Sequence, residues 1–301
     1  MTTEENNFMT VIEGIIQGFI QGLSEFLPIS SSGHLSVFQH FFGIHGESAV
    51  LVNVFLHLGT LIAVFIAFWG KIKALIIEFF KLIKDIFTGK FKWKEMNPER
   101  RMIFMIIISI LPLFGFYIFK DFFEGLQSDR SIVAEGIGFL YTSALLFLST
   151  SKLCDGNKLT CGEVTTPKAL LIGVFQGIAL VPGISRSGST ISAGLFAGLK
   201  REDAVEYSFI LGIPVILAGA LTEMLSYDGG AASELILPLI VGFVVAAVSG
   251  YLAIRLIKLL VVSDKFRIFA FYTLILGIIV LSIGIYEDVS GNYLYEMIAA
   301  K

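Results

Sequence analysis

Residues 169–198 form an apolar run with an arginine near its middle, and this conflict restricts the chain more than any other feature. The run breaks at Val181-Pro182-Gly183-Ile184-Ser185-Arg186-Ser187-Gly188-Ser189-Thr190. A charged side chain at the centre of a bilayer costs about 3 kcal/mol or more, so it marks a site enclosed by protein. A second broken run lies upstream. Residues 8–28 are apolar, stop at Pro28-Ile29-Ser30-Ser31-Ser32-Gly33-His34, and resume over 34–43 as a helix too short to span. Irregular backbone at membrane depth is tolerated only inside protein or beside a wet cavity. The two turns are therefore expected to meet and hold an anion, phosphate above all.

The remainder of the chain is suited to lipid. Of 301 residues, 55% are hydrophobic and 16% charged, where a soluble domain carries ~25% charged residues. Spanning helices are expected at 51–69, 102–119, 133–150, 204–225, 235–254 and 268–286, each near the ~20 residues that cross a bilayer. Within 71–101, Leu75–Ile86 is amphipathic and suits the membrane interface. The acidic start, Met1-Thr2-Thr3-Glu4-Glu5, lacks the basic region of a signal peptide, so the first apolar run is expected to be retained. No basic tract points to nucleic acid. Cys154 and Cys161 read as free thiols in a polar linker, with no further metal ligands nearby.

An internal repeat organises the chain. A shift of 155 residues carries Gln21 onto Gln176, Gly18 onto Gly173, Gly22 onto Gly177, Ser30 onto Ser185, Ser32 onto Ser187 and Gly33 onto Gly188. The expected fold is thus an all-α integral membrane protein, one domain over 1–301. The first repeat, 8–150, holds hairpin 8–43 and three spans. The second, 169–286, holds hairpin 169–198 and three more. Lys and Arg number nine in 71–101, two in 120–132, three in 151–168, none in 226–234 and four in 255–267. Loops rich in Lys and Arg stay cytoplasmic, which puts both termini outside. An odd number of spans separates the hairpins, so they enter from opposite faces as an inverted-topology repeat with broken tips meeting near the midplane.

The residue types at the tips point to anion chemistry. Helix N-termini offer free N–H groups and partial positive charge, and short helices are expected to begin at about 34 and 189. Arg186 adds a planar fork of donors suited to phosphate. Ser30, Ser31, Ser32, Ser185, Ser187, Ser189 and Thr190 add hydroxyls, which also serve as helix caps. Arg186 has an internal alternative, pairing with Glu25. Ser31 and His34 stand three apart, a minimal pair for nucleophilic or general-base chemistry. Gln21 and Glu25 lie on one helix face with Glu13 and Gln17. As hard oxygen donors, Gln21 and Glu25 suit Mg²⁺ or Ca²⁺ shared with a phosphate; Glu13 and Gln17 read as packing. His40, His45 and His57 show no metal-ligand spacing and read as structural, although Asn53 and His57, one turn apart, also suit a cavity wall.

Gln21-Gly22-Leu23-Ser24-Glu25-Phe26-Leu27-Pro28-Ile29-Ser30-Ser31-Ser32-Gly33-His34 and Pro182-Gly183-Ile184-Ser185-Arg186-Ser187-Gly188-Ser189-Thr190 resemble the two signatures of the bacterial undecaprenyl-diphosphate phosphatases of the bacitracin-resistance type. The resemblance covers nearly the whole chain. It implies release of the terminal phosphate from undecaprenyl diphosphate in the bacterial cell membrane, at a site open to the extracytoplasmic face. That recycles the lipid carrier of cell-wall glycan and confers bacitracin resistance. It implies Ser31, His34, Glu25 and Arg186 as catalytic residues. Gln21, Ser30, Gly183, Ser185, Ser187 and Thr190 would bind substrate. The family admits Glu or Gln at the first acidic position, and here it is Gln21, so a cation would lean on Glu25 and the substrate. The expected partners are a polyprenyl diphosphate and membrane lipid, with room for a homodimer and without nucleic acid or an organic cofactor. Whether Ser31 or His34 is the nucleophile stays open. So does transport, since a polyprenyl-phosphate flippase or anion carrier would use the same arginine and helix ends.

Overall fold

A computed structural model of the chain describes residues 10–42, 47–119, 122–123, 125–126, 131–151, 154, 158–225, 232–262 and 265–294. The named α-helices are α1 (Val11–Phe26), α2 (Ser31–Phe42), α3 (Glu47–Ala67), α4 (Trp69–Phe87), α5 (Pro98–Tyr117), α6 (Val133–Ser149), α7 (Thr166–Ile178), α8 (Arg186–Phe196), α9 (Arg201–Leu225), α10 (Ala232–Val262) and α11 (Arg267–Ser290). Among the described residues, β-structure is limited to an isolated bridge between Leu159 and Leu199. Among the described residues, four helical stretches are long and apolar enough to cross a membrane, α5, α9, Ile236–Leu260 of α10, and α11, and the bent pair Leu51–Ala67 and Trp69–Phe87 together would make a fifth. The protein is therefore a multi-pass helical membrane protein.

The long apolar helices bury one face and expose an apolar one, as a protein solvated by lipid requires, whereas α8 is buried almost all round. In α11, Ala270, Thr273 and Gly277 are buried, while Ile268, Phe271, Ile275 and Ile278 are exposed. The largest buried cluster joins the end of α1 to α3, α5, α7, α8 and α9 through Phe26, Met102, Ile172, Tyr207 and Leu211.

Local chemistry sets the boundaries. Thr10 caps α1 in a reciprocal box with Glu13, so Glu13 is a capping residue where packing was expected. Gln17 is packed, as expected, and accepts from Gln39 Nε2 at 3.0 Å. The first span ends at Ala67, and the chain turns by 89° into α4. Much of the basic linker is therefore a helix. Arg100 fastens it, with Nη2 2.6 Å from Glu78 Oε1 and 2.8 Å from Asp85 Oδ2. Helix α10 runs longer than expected, over Ala232–Val262.

Helix α1 lies against α10 and α7 against α5, while α6 packs on α11 and α3 on α9 and α10. Close approach explains the glycine spacing. A Cβ on Gly18 would stand 2.5 Å from the Gly242 carbonyl oxygen, and one on Gly173 would meet the Ser109 carbonyl oxygen. Small residues of this kind let membrane helices touch through their backbones. Residues 8, 9 and 43 of the first hairpin, and His45, lie outside the described residues.

Candidate active site

The two broken helices touch at their tips. Pro28 ends the first arm, and Ser30 turns the backbone with φ 71°, the left-handed region that a serine adopts only under constraint. Ser30 Oγ then accepts from Gly33 N at 3.2 Å. In the second arm Ser185 Oγ accepts from Gly188 N at 3.0 Å. These are one interaction seen twice, at the 155-residue shift. Each serine is a helix cap, so α2 and α8 begin at Ser31 and Arg186, three residues earlier than expected. Ser31 and Arg186 are thus equivalent positions, each the first residue of its half-helix. The tips are joined by Ser187 Oγ, which donates to the Leu27 carbonyl at 3.3 Å.

Both first residues reach for Glu25, a carboxylate only 6% exposed at the end of α1. Arg186 Nη2 donates to Glu25 Oε1. Ser31 Oγ donates to Oε2 at 2.6 Å, and Gln21 Nε2 to the same oxygen at 3.0 Å. His57 Nε2 of α3 lies 3.8 Å from Oε2, while its Nδ1 donates to the Asn53 carbonyl at 2.8 Å. The internal pair allowed for in the sequence is therefore made. Among the described residues, the buried atoms without a hydrogen-bond partner include Arg186 Nη1 and Gln21 Oε1 beside Glu25, and Ser189 Oγ on α8. The guanidinium is seated on Gly212 of α9, where a Cβ would stand 2.5 Å from Nη1.

Ser31 and His34 do not form the expected pair. Ser31 is bonded to Glu25, and His34 Nε2 is 2.7 Å from the Tyr272 hydroxyl of α11. Glu25 does not orient His34 either, since Nδ1 lies 2.7 Å from the Ser30 carbonyl.

The other expected binding residues build the tip. Ser185 N donates to Thr142 Oγ1 at 3.0 Å, and Ser187 Oγ lies 3.2 Å from Ser185 Oγ. Thr190 Oγ1 donates to the Arg186 carbonyl at 2.9 Å and lies 2.6 Å from Ser208 Oγ. Gly183 has φ 79°, and a side chain there would run into the Glu135 carbonyl. His40 is structural as expected, with Nε2 2.9 Å from Glu287 Oε2. Cys154 and Cys161 are free thiols, as read from the sequence, and both are buried.

Three residues at the site escaped sequence reasoning in this role. His57 carried a faint signal, its one-turn spacing from Asn53. Gly212 carried another, because Leu211-Gly212 resembles Leu58-Gly59. Tyr272 sits in an unbroken apolar span and carried none.

Fold and site together define a multi-pass membrane protein with a guanidinium, a carboxylate and a hydroxyl clustered where two broken helices meet. The model of the family described as bacitracin resistance protein BacA matches residues 14–279. The chain is 40% identical over 276 residues to an undecaprenyl-diphosphatase of Halothermothrix orenii, covering 91% of this chain and 98% of that one. It is 36% identical over 276 residues to an undecaprenyl-diphosphatase of Alkaliphilus metalliredigens, with the same coverage. Against an undecaprenyl-diphosphatase of Methanosphaera stadtmanae it is 37% identical over 282 residues, 92% of this chain and 99% of that one. The chain belongs to the BacA family.

Proposed function

We propose that this protein hydrolyses undecaprenyl diphosphate to undecaprenyl phosphate and phosphate, and so recycles the cell-wall lipid carrier. One observation carries the reading. A carboxylate is held by Arg186, Ser31 and Gln21 at the start of two half-helices, the arrangement that would receive a phosphoryl group. Phosphoryl transfer needs little more than positioning and compensation of charge.

In this mechanism the terminal phosphate takes Arg186 from Glu25 and also engages Arg186 Nη1, while Glu25 keeps Ser31. Ser31 Oγ attacks the terminal phosphorus, and its proton passes to Glu25 Oε2. The bond from phosphorus to the bridging oxygen breaks, and undecaprenyl phosphate leaves. Water then cleaves the phosphoserine, its proton passing to His34 Nε2 and the proton on Glu25 returning to Ser31 Oγ, so that phosphate is released and the Ser31 hydroxyl restored. Ser31 is favoured over His34 as nucleophile because Ser31 bears on a carboxylate while both His34 nitrogens are engaged elsewhere. Trapped phosphoserine at Ser31 is the expected intermediate. Phosphohistidine at position 34 would reverse the assignment.

A divalent cation fits only alongside substrate. Among the described residues, no group of three or more His, Cys, Asp or Glu side chains is placed to hold a metal. Gln21 Oε1 is a buried oxygen without a partner. It and Glu25 would hold Mg²⁺ or Ca²⁺, with phosphate oxygens completing the shell, and the ion would neutralise phosphate charge.

The inverted repeat is part of the proposal. Exchanging the halves turns the α1–α10 contact into the α7–α5 contact, as in the observed packing. The matching caps on Ser30 and Ser185 support it too. The loop charges support an inner-membrane protein with both termini outside and the site facing outward, where abundant enzyme would confer bacitracin resistance. A flippase would need the arginine and helix ends but no hydroxyl on a carboxylate, so the Ser31–Glu25 bond favours hydrolysis. The test is phosphate release from undecaprenyl diphosphate by purified protein in detergent, with and without chelator. Wild type is expected to turn over. Arg186→Lys keeps the charge but loses the fork and should fall about 10²-fold; equal rates would refute the proposal.

A further inference from the structure

Hydrogen-bond roles around His34 can be assigned without seeing a hydrogen. A carbonyl oxygen only accepts, so the 2.7 Å contact from Nδ1 to the Ser30 carbonyl places a proton on Nδ1. In the neutral ring the lone pair then lies on Nε2, and the Tyr272 hydroxyl 2.7 Å away donates to it. The ring is fixed in orientation as well. It lies parallel to Tyr272, with centroids 5.7 Å apart and planes 7° apart. The Phe139 ring stands at 79° to it, with centroids 5.2 Å apart.

The backbone makes this possible at a cost. Ser30 carries its carbonyl on a residue with φ 71°, a conformation that costs about 1–3 kcal/mol for a non-glycine residue. That strain turns the carbonyl onto the imidazole four residues later.

We infer that Tyr272 is a positioning residue, which with the Ser30 carbonyl holds His34 in the single tautomer whose basic nitrogen is Nε2. A hydroxyl is suited to this because it can rotate. It donates while the imidazole is neutral and accepts from Nε2–H once the ring has taken a proton. Tyr272 therefore follows a proton onto and off His34 without either ring moving. The inference rests on the phosphatase reading insofar as His34 serves turnover, but the pairing itself is measurable without substrate.

Tyr272→Phe keeps the stacked ring and removes the hydroxyl. Histidine nitrogen NMR on the purified protein separates the two readings, with His34 assigned by its loss in His34→Gln. In wild type, Nδ1 should carry the proton, and Nε2 should show the shift of an unprotonated nitrogen accepting a hydrogen bond. In Tyr272→Phe the Nε2 signal should move toward that of a free imidazole. A wild-type ring protonated on Nε2, or a signal indifferent to the variant, overturns the inference. In the detergent assay Tyr272→Phe should lower kcat at least about 10-fold, as loss of an orienting partner does, with KM little changed. Combined with His34→Gln it should cause no further loss, since residues acting through one another are not additive. Unaltered kcat in Tyr272→Phe, or independent effects in the double variant, overturns it. Failure of wild type to release phosphate would count against the phosphatase reading alone and leave the NMR result standing.

Discussion

Glu25 occupies the seat that its surroundings offer to an anion. It is buried, and Arg186, Ser31 and Gln21 all donate to it. Substrate phosphate must compete with it for Arg186. Glu25→Gln keeps the shape and removes the competing charge, so inorganic phosphate should bind about 10-fold more tightly, the worth of one charge-assisted hydrogen bond. Calorimetry reads this directly; unchanged or weaker binding would mean that the carboxylate helps to hold phosphate. Cys161 gives a separate check. Burial, with Glu206 and Asp203 nearby, pushes its thiol well above the ordinary range. It should resist maleimide near neutral pH in the folded protein and react once denatured. Arg186 stood out in the sequence because a charge is costly in an apolar run, Glu25 by its place on a polar stripe, and Ser31 by its spacing from His34. Tyr272 did not, because a tyrosine in a span is ordinary and its partner lies 238 residues away.

The half-helices owe their use to where they begin. Serines at the N-cap and serines in a loop look alike in a sequence, which leaves Ser30 and Ser185 open as donors or caps and puts both expected helix starts three residues late. The correction matters, because a start at Ser31 and Arg186 puts the two residues that bond Glu25 at the half-helix N-termini. Helix α9 contributes through an absence, since Gly212 leaves room for the guanidinium. Gly212→Ala should displace Arg186 and lower kcat about 10-fold while the protein still folds. Gly219→Ala, on the same helix with open space around it, should leave kcat unaltered. Equal rates in the two variants would show that the Gly212 seat does not matter. Element type was legible throughout from apolar runs of spanning length. The turn after Ala67 was legible in part, since the span was expected to end at 69 and Leu75–Ile86 to lie along the interface, but its 89° angle was not.

Across the whole molecule, the proposed inverted repeat would bring two hairpins in from opposite faces so that one site uses both half-helix N-termini. The repeat is proposed from sequence because glycine and serine recur at both tips at a single shift of 155 residues. The spans between them are merely apolar, and many sequences satisfy that. The proposed orientation rests on loop charge and is testable in cells, in a background lacking Cys154 and Cys161. Lys90→Cys should react with an impermeant maleimide only after permeabilisation, and Asn292→Cys in intact cells. The reverse pattern would invert the topology. The most direct measurement of the central claim is an experimental structure with bound vanadate, a mimic of the transferring phosphoryl group. The account predicts vanadate within hydrogen-bond distance of both the Arg186 guanidinium and Ser31 Oγ, with Glu25 released from Arg186. Vanadate bound elsewhere, with the Arg186–Glu25 pair intact, would contradict it.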